Sequence, residues 1–172
     1  MSKHDDGFTI NPIGIVRVDY DDEFVKTSLN GVRGVIEIFE EYSKGLEGID
    51  GFSHLILVAY LNKVVGDERK TLMVKPRRFI RFGVSPAIIP TVGVFCTDSP
   101  HRPNPIAITI VKLLKVEERR LSVDGLDLFD STPLIDIKPY TKARVEGDLS
   151  IPKWYAKLLG KVKDKGLEGY DL

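Results

Sequence analysis

The chain holds one cysteine, three histidines, one tryptophan and no excess of either charge, with 25 Lys and Arg against 25 Asp and Glu in 172 residues. A single cysteine excludes an internal disulfide. The scattered histidines offer no zinc-ligand spacing, and the carboxylates do not follow a calcium-loop pattern, so no metal site is expected. Cys96 stands within an apolar run and reads as a small core residue. No stretch is apolar for the length of a membrane span, and Met-Ser-Lys-His-Asp-Asp at the start lacks a signal peptide's apolar segment, so a cytoplasmic protein is expected. There is no glycine-rich turn opening a helix, no P-loop, no nucleophile elbow and no strand-helix-strand rhythm. Those absences argue against doubly wound nucleotide folds and serine hydrolases.

What is present is a series of short β-like segments. Ile13 to Val18, Val35 to Phe39, Phe52 to Leu61, Thr71 to Val74, Thr91 to Cys96, Ile106 to Val116, Leu121 to Leu128 and Leu134 to Tyr140 each alternate or run apolar at strand length. Lys115 to Arg120 marks a hairpin turn, and Glu40 to Leu46 a short helix. The acidic stretch Asp19, Asp21, Asp22 and Glu23 shows no clear element. Ile151 to Val162 reads as a helix with Pro152 at its start, Trp154, Leu158 and Val162 as its apolar stripe, and Lys153, Lys157 and Lys161 on the adjoining face. The tally predicts a mostly β protein, an antiparallel barrel with short helices and a C-terminal helix. Residues 1–7 are expected to be disordered, 8–145 to form the barrel domain and 146–172 a C-terminal helical segment.

The densest chemistry lies in Thr97-Asp98-Ser99-Pro100-His101-Arg102-Pro103-Asn104-Pro105-Ile106. Three prolines fix φ at about −65°, remove backbone donors and push Ser99, Arg102 and Asn104 toward extended geometry. Such a loop can hold His101, Arg102 and Asn104 in set directions, or it can be a stiffened connection with a solvated arginine. Upstream, Arg69, Lys70, Lys75, Arg77, Arg78 and Arg81 fall within thirteen residues without an acid. They suit phosphate contacts, or else a charged edge that discourages strand addition. Downstream, Asp124, Asp127, Asp130 and Asp136 make a second polar group. At strand spacing Asp136 and Lys138 share a face, with Ile135 and Ile137 on the other. His54 reads as structural. Asp98, Arg102 and Asp130 are the candidate catalytic groups, although Arg102 and Asp130 could instead pair to brace two loops.

Four ordered blocks resemble the TrmO family of tRNA methyltransferases: Pro12-Ile13-Gly14-Ile15-Val16-Arg17, Leu46 to Leu55, Ser99 to Ile106, and Leu126 to Tyr140. That resemblance implies an antiparallel barrel, a homodimer, and S-adenosylmethionine as methyl donor for N6 of threonylcarbamoyladenosine beside the tRNA anticodon. It places donor contacts at Asn62, Lys63, Asp98, Ile108, Asp124, Gly125, Leu126 and Asp127. His101, Arg102, Asn104, Arg77, Arg78 and Arg81 are the expected RNA contacts. The sequence departs from the family pattern at Asp98, where arginine is expected, and at Ala107, where glycine is expected. The basic stretch near the start is replaced by Thr27-Ser28-Leu29-Asn30, and no counterpart of the bacterial C-terminal extension is expected. Those departures leave open a binding module without transfer, or a methyltransferase for another substrate.

Overall fold

The computed structural model describes residues 9–164. The expected disorder of residues 1–7, Phe8 and the last eight residues lie outside that range. Eight strands are present among the described residues: β1 (Gly14–Arg17), β2 (Val32–Ile38), β3 (His54–Tyr60), β4 (Met73–Val74), β5 (Val92–Gly93), β6 (Ile106–Glu117), β7 (Arg120–Leu126) and β8 (Pro133–Pro139). Six of them close a barrel in the order β1, β2, β7, β6, β3, β8, each antiparallel to its neighbours, while β4 and β5 pair separately. The mostly β barrel read from the strand pattern is therefore the observed fold.

Alternation builds the barrel core. On β3, Leu55, Leu57 and Ala59 are fully buried, joined by Val16, Ile36, Val111, Leu121, Val123, Leu126 and Leu134 at the same 0% exposure. Each fully buried aliphatic chain of this size contributes about 2 kcal/mol relative to exposure. Register shifts on three strand pairs, between Val32 and Gly34, Val58 and Ala59, and Leu113 and Lys115, supply the bends a six-strand closure needs. The second shift changes the faces of β8. Leu134 pairs with Ala59 and Ile137 with Leu57, so these two residues, three apart, both reach the core. The simple alternation that put Ile135 with Ile137 fails at that bulge, whereas Asp136 and Lys138 do share a face and form an ion pair.

Four further expectations change. The acidic stretch holds helix α1 (Asp22–Thr27), because the Asp21 carboxylate accepts from the Phe24 N–H at 2.8 Å and Asp22 and Glu23 occupy the favourable first turn. Thr91 to Cys96 is not a buried strand: Gly93 ends the two-residue β5, a 3-10 turn follows, and Cys96 is exposed. β6 is not largely buried either, since Ile106, Ile108 and Ile110 point outward while Thr109 and Val111 point in. The region from Val64 to Pro90, in which the sequence offered only Thr71 to Val74 as a strand, also carries a 3-10 turn at Gly66–Lys70 and helix α2 (Arg78–Arg81).

The chain divides into two compact units, one formed by residues up to Leu61 with Ile106–Tyr140, the other by Asn62–Pro105 with the chain from Thr141 onward. The first is the barrel. The second has its own core, in which helix α3 (Lys153–Lys163) lays Leu158 and Val162 against Phe79, Phe82, Val84 and Ile89, with Trp154, Tyr155 and Leu159 at the margin. The four-residue spacing of the C-terminal stripe predicted this helix and its buried face. Leu158 is 1% exposed, so Leu158→Ala is expected to cost about 3 kcal/mol. Amide exchange over α2 and α3 should accelerate while the barrel amides remain protected.

Candidate functional site

The proline loop is fixed from within its own unit. Thr97 Oγ1 donates to the Val94 carbonyl at 3.0 Å and accepts from the Ser99 N–H at 3.3 Å, while Arg102 donates to the Thr97 carbonyl at 3.2 Å. Pro105 is buried. With backbone freedom already cut by Pro100, Pro103 and Pro105, these bonds leave His101 and Asn104 exposed on a stiff support. His101 Nε2 lies 3.4 Å from a Glu68 carboxylate oxygen. Glu68 in turn accepts from the Val65 N–H at 3.2 Å, tying the Gly66–Lys70 turn to the loop. Arg69 reaches the Pro103 carbonyl at 3.5 Å.

Asp98 shares this unit with α2 and α3. Phe79 and Tyr155 meet edge to face at 5.3 Å, which brings the Tyr155 phenol within the fields of Arg78 and Asp98. Burial pushes that phenol above its ordinary value of 10.0, Arg78 opposes the rise, and Asp98 adds to it. Arg77, Arg78 and Arg81 are exposed on or beside α2. Asn62 and Lys63, just after β3, are exposed as well.

The aspartate-rich turn belongs to the barrel. Asp124 accepts from the Gly125 N–H at 3.0 Å and pairs with Arg33 at 3.4 Å. Gly125 takes φ +89°, and Gly31, at φ +72°, sits so close that a Cβ there would lie 2.5 Å from the Gly125 carbonyl carbon. Leu126 is fully buried, backbone included, whereas Asp127 is exposed. Ile108 is 72% exposed on the outer face of β6.

Asp130 is a brace for its turn. Its carboxylate accepts from the Val18 N–H at 3.1 Å and from Ser131 Oγ at 2.7 Å, and Arg17 donates to that same hydroxyl at 3.3 Å. The Ser131 bond is the largest influence on the Asp130 carboxyl and, with the Val18 N–H and the Arg17 charge, outweighs burial to hold it below its ordinary value of 3.8. A carboxylate kept in that state is a weakened base. Because the folded pKa is the lower one, the stabilisation is complete above the unfolded value and is lost as pH falls through the folded value. Asp130→Asn is expected to lower stability near neutrality by about 1 kcal/mol, the low end for a solvent-accessible charged hydrogen bond, and to flatten the acid limb of stability against pH. Denaturant titrations at several pH values check both.

Of the residues singled out in the sequence, Asn62, Lys63, Arg77, Arg78, Arg81, Asp98, His101, Arg102 and Asn104 fall in the second unit. Ile108, Asp124, Gly125, Leu126, Asp127 and Asp130 fall in the barrel. Sequence reasoning passed over Tyr155, Glu68 and Gly31. Tyr155 neighbours the apolar stripe of α3 but lies off its four-residue repeat, and the closeness of Gly31 to Gly125 is a tertiary fact with no local signal. At the barrel end where β3 begins, a cavity of about 400 Å³ is lined by Ile13, Leu46, Phe52, Glu47, Asp136 and their neighbours, none of them among the candidate catalytic, donor or RNA contacts.

A closed six-strand antiparallel barrel with a separately cored basic insertion is a class far from the doubly wound nucleotide-binding folds. Within that class, the profile of the tRNA-methyltransferase O N-terminal domain matches residues 25–144, and the chain belongs to that family. A crystal structure of TrmO superposes with a TM-score of 0.64 at 29% identity, covering 84% of this chain and 63% of that one. An Archaeoglobus fulgidus protein named as S-adenosyl-L-methionine-binding is 34% identical over 135 residues, 77% of this chain and 88% of its own. A mouse protein named as tRNA (adenine(37)-N6)-methyltransferase is 39% identical over 103 residues, 60% of this chain and 22% of its own. The chain thus spans less than two thirds of several relatives, including 26% of a second, longer Archaeoglobus fulgidus protein.

Proposed function

We propose that this protein is an S-adenosylmethionine-dependent methyltransferase acting on N6 of threonylcarbamoyladenosine next to the tRNA anticodon, in the cytoplasm. The observation that carries the reading is the family match over residues 25–144, which spans β2 to β8 and the whole proline loop. The residues present fit the donor chemically. An adenosyl sulfonium needs an apolar surface, carboxylates to offset its positive charge and open backbone groups. On the barrel, Ile108, the Asp124 and Asp127 carboxylates and the half-buried backbone of Gly125 have those properties; in the second unit, Asn62 and Lys63 are exposed polar candidates.

The bound donor supplies a methyl group on a positively charged sulfur. The protein's part is to orient the acceptor nitrogen in line, exclude water and take one proton from N6. Carbamoylation delocalises the N6 lone pair, so a carboxylate receiving that proton helps. Asp98 is the proposed acceptor, since Asp130 is spent on bracing its own turn. Arg102, a planar guanidinium on the stiffened loop, suits the threonyl carboxylate, and His101 and Asn104 suit base or phosphate contacts. A second copy of the chain is proposed to cover the outward aliphatic row Ile106, Ile108 and Ile110, which pairs across to Tyr60, Val58 and Ile56 of β3. Light scattering should give a dimer, and Ile108→Glu a monomer with weakened donor binding.

Incubation with methyl-labelled donor and tRNA, with or without the threonylcarbamoyl group, tests the reading. Label only in the modified tRNA supports it. The relatives named for binding S-adenosylmethionine favour a second reading, a donor-binding module without transfer; calorimetric donor binding with no incorporation into any tRNA would establish that reading instead.

A further inference from the structure

The neutral total conceals a separation of charge. The unit formed by Asn62–Pro105 and the chain from Thr141 onward carries fifteen Lys and Arg against eight Asp and Glu, and the barrel unit carries ten against seventeen. Much of that excess lies on two helices that share one core. Helix α3 contains Lys153, Lys157, Lys161 and Lys163 and no acid from Lys153 to Lys163. Through Phe79 and Tyr155 it is joined to α2, which presents Arg78 and Arg81 with Arg77 at its start.

The lysines of α3 are arranged in a row. Lys153, Lys157 and Lys161 recur every four residues, about 6 Å apart along the axis, and all three are exposed. Lys161 has a surface pair with Asp164 at 3.2 Å, a contact of little worth in water. Lys153 stands in the first turn, where no acid is present and Pro152 makes no side-chain cap. A cation there opposes the helix dipole, so the placement weakens the helix unless an outside anion meets it. The apolar stripe is already taken up, with Leu158 1% and Val162 2% exposed inside the unit's core. A helix that has spent its apolar face in this way cannot sink that face into a lipid surface.

We infer that the lysine row of α3, which lies outside the family-matched residues 25–144, forms an RNA-backbone-binding face together with Arg77, Arg78 and Arg81, gripping the sugar-phosphate strand of the tRNA. The inference rests on the proposed tRNA substrate and adds a contact surface to it. Phosphate contacts of this kind position the nucleic acid without reading its sequence, and they release counterions.

The test is tRNA binding by the full chain as a function of salt, comparing wild type with K153Q/K157Q/K161Q and K153R/K157R/K161R. The Gln variant should fold, since its three positions are exposed and one adverse charge is removed; thermal melting checks this. It should bind tRNA about tenfold or more weakly, with a log-log salt slope shallower by about 2 to 3, as expected for that many lost phosphate contacts. The Arg variant should bind like wild type, and donor affinity should be the same in all three. Unchanged affinity and slope in the Gln variant overturn the inference. So does a Gln variant that loses binding to anionic phospholipid vesicles and keeps tRNA, which would assign the row to membranes. Wild type that binds tRNA with this lysine dependence but transfers no methyl group removes the proposed reaction and leaves the binding face standing. Wild type that binds no RNA removes both.

Discussion

Gly31→Ala is expected to unfold the barrel at markedly lower denaturant and to abolish donor binding with it. Gly31 adopts φ +72°, where an L side chain costs about 1–2 kcal/mol by itself. The added Cβ would also lie 2.5 Å from the Gly125 carbonyl carbon and 2.7 Å from the Gly125 and Leu126 carbonyl oxygens. Those are backbone atoms and cannot rotate away, so β2 must withdraw from the end of β7 where Val32 pairs with Leu126. A total loss of about 3 kcal/mol or more is expected. Gly45→Ala is the matched control, since nothing lies within 4 Å of a Cβ there and its φ is ordinary; its midpoint should hardly move. The coupling to function follows from position, because the backbone that Gly31 supports is the Asp124 to Asp127 segment proposed to hold the donor.

The second large effect concerns Asp98. Asp98→Asn keeps shape and polarity but removes the capacity to accept a proton, and the expected result is a fall in the single-turnover methyl-transfer rate of about 100-fold or more. Donor affinity should change only a few-fold if the role is in proton removal, and Asp98→Glu should recover part of the rate. Asp130→Asn should slow transfer far less once its loss of stability is allowed for. A reversed ranking would move the proton acceptor from the proline loop to the barrel turn. Asp98→Arg, which restores the residue expected from the family pattern, separates the readings further: faster transfer in that variant would mean that aspartate here diminishes catalysis.

The strand pattern carried most of the fold. The central strand was legible as a continuous apolar run of strand length, although the alternate burial of Leu55, Leu57 and Ala59 is masked in the sequence by the apolar Ile56 and Val58 between them. The long C-terminal helix was legible because its stripe recurs every four residues. Three kinds of feature were not. Helix α1 is six residues long, too short for periodicity, and is nucleated by a cap at Asp21 whose meaning depends on geometry. The bulge on β8 inverts one face partway along and cannot be seen in a strand read alone. The apolar run Thr91 to Cys96 resembled a core strand by composition, yet Gly93 and a 3-10 turn leave Phe95 76% exposed and Cys96 exposed as well. For the candidate site, the rigid loop and the aspartate turn were visible as clusters of residue types. What fixes them was not: Glu68 beside His101, Tyr155 near Arg78 and Asp98, and Gly31 against Gly125 are long-range contacts that leave no trace in local sequence.

The most direct measurement is mass analysis of nucleosides from tRNA carrying threonylcarbamoyladenosine after incubation with the purified protein and S-adenosylmethionine. The account predicts that threonylcarbamoyladenosine is converted to a species one methyl group heavier, with the added carbon on N6, and that Asp98→Asn leaves it unconverted on the same timescale. Recovery of the starting nucleoside unchanged at every protein concentration, from protein shown to bind the donor, would contradict it.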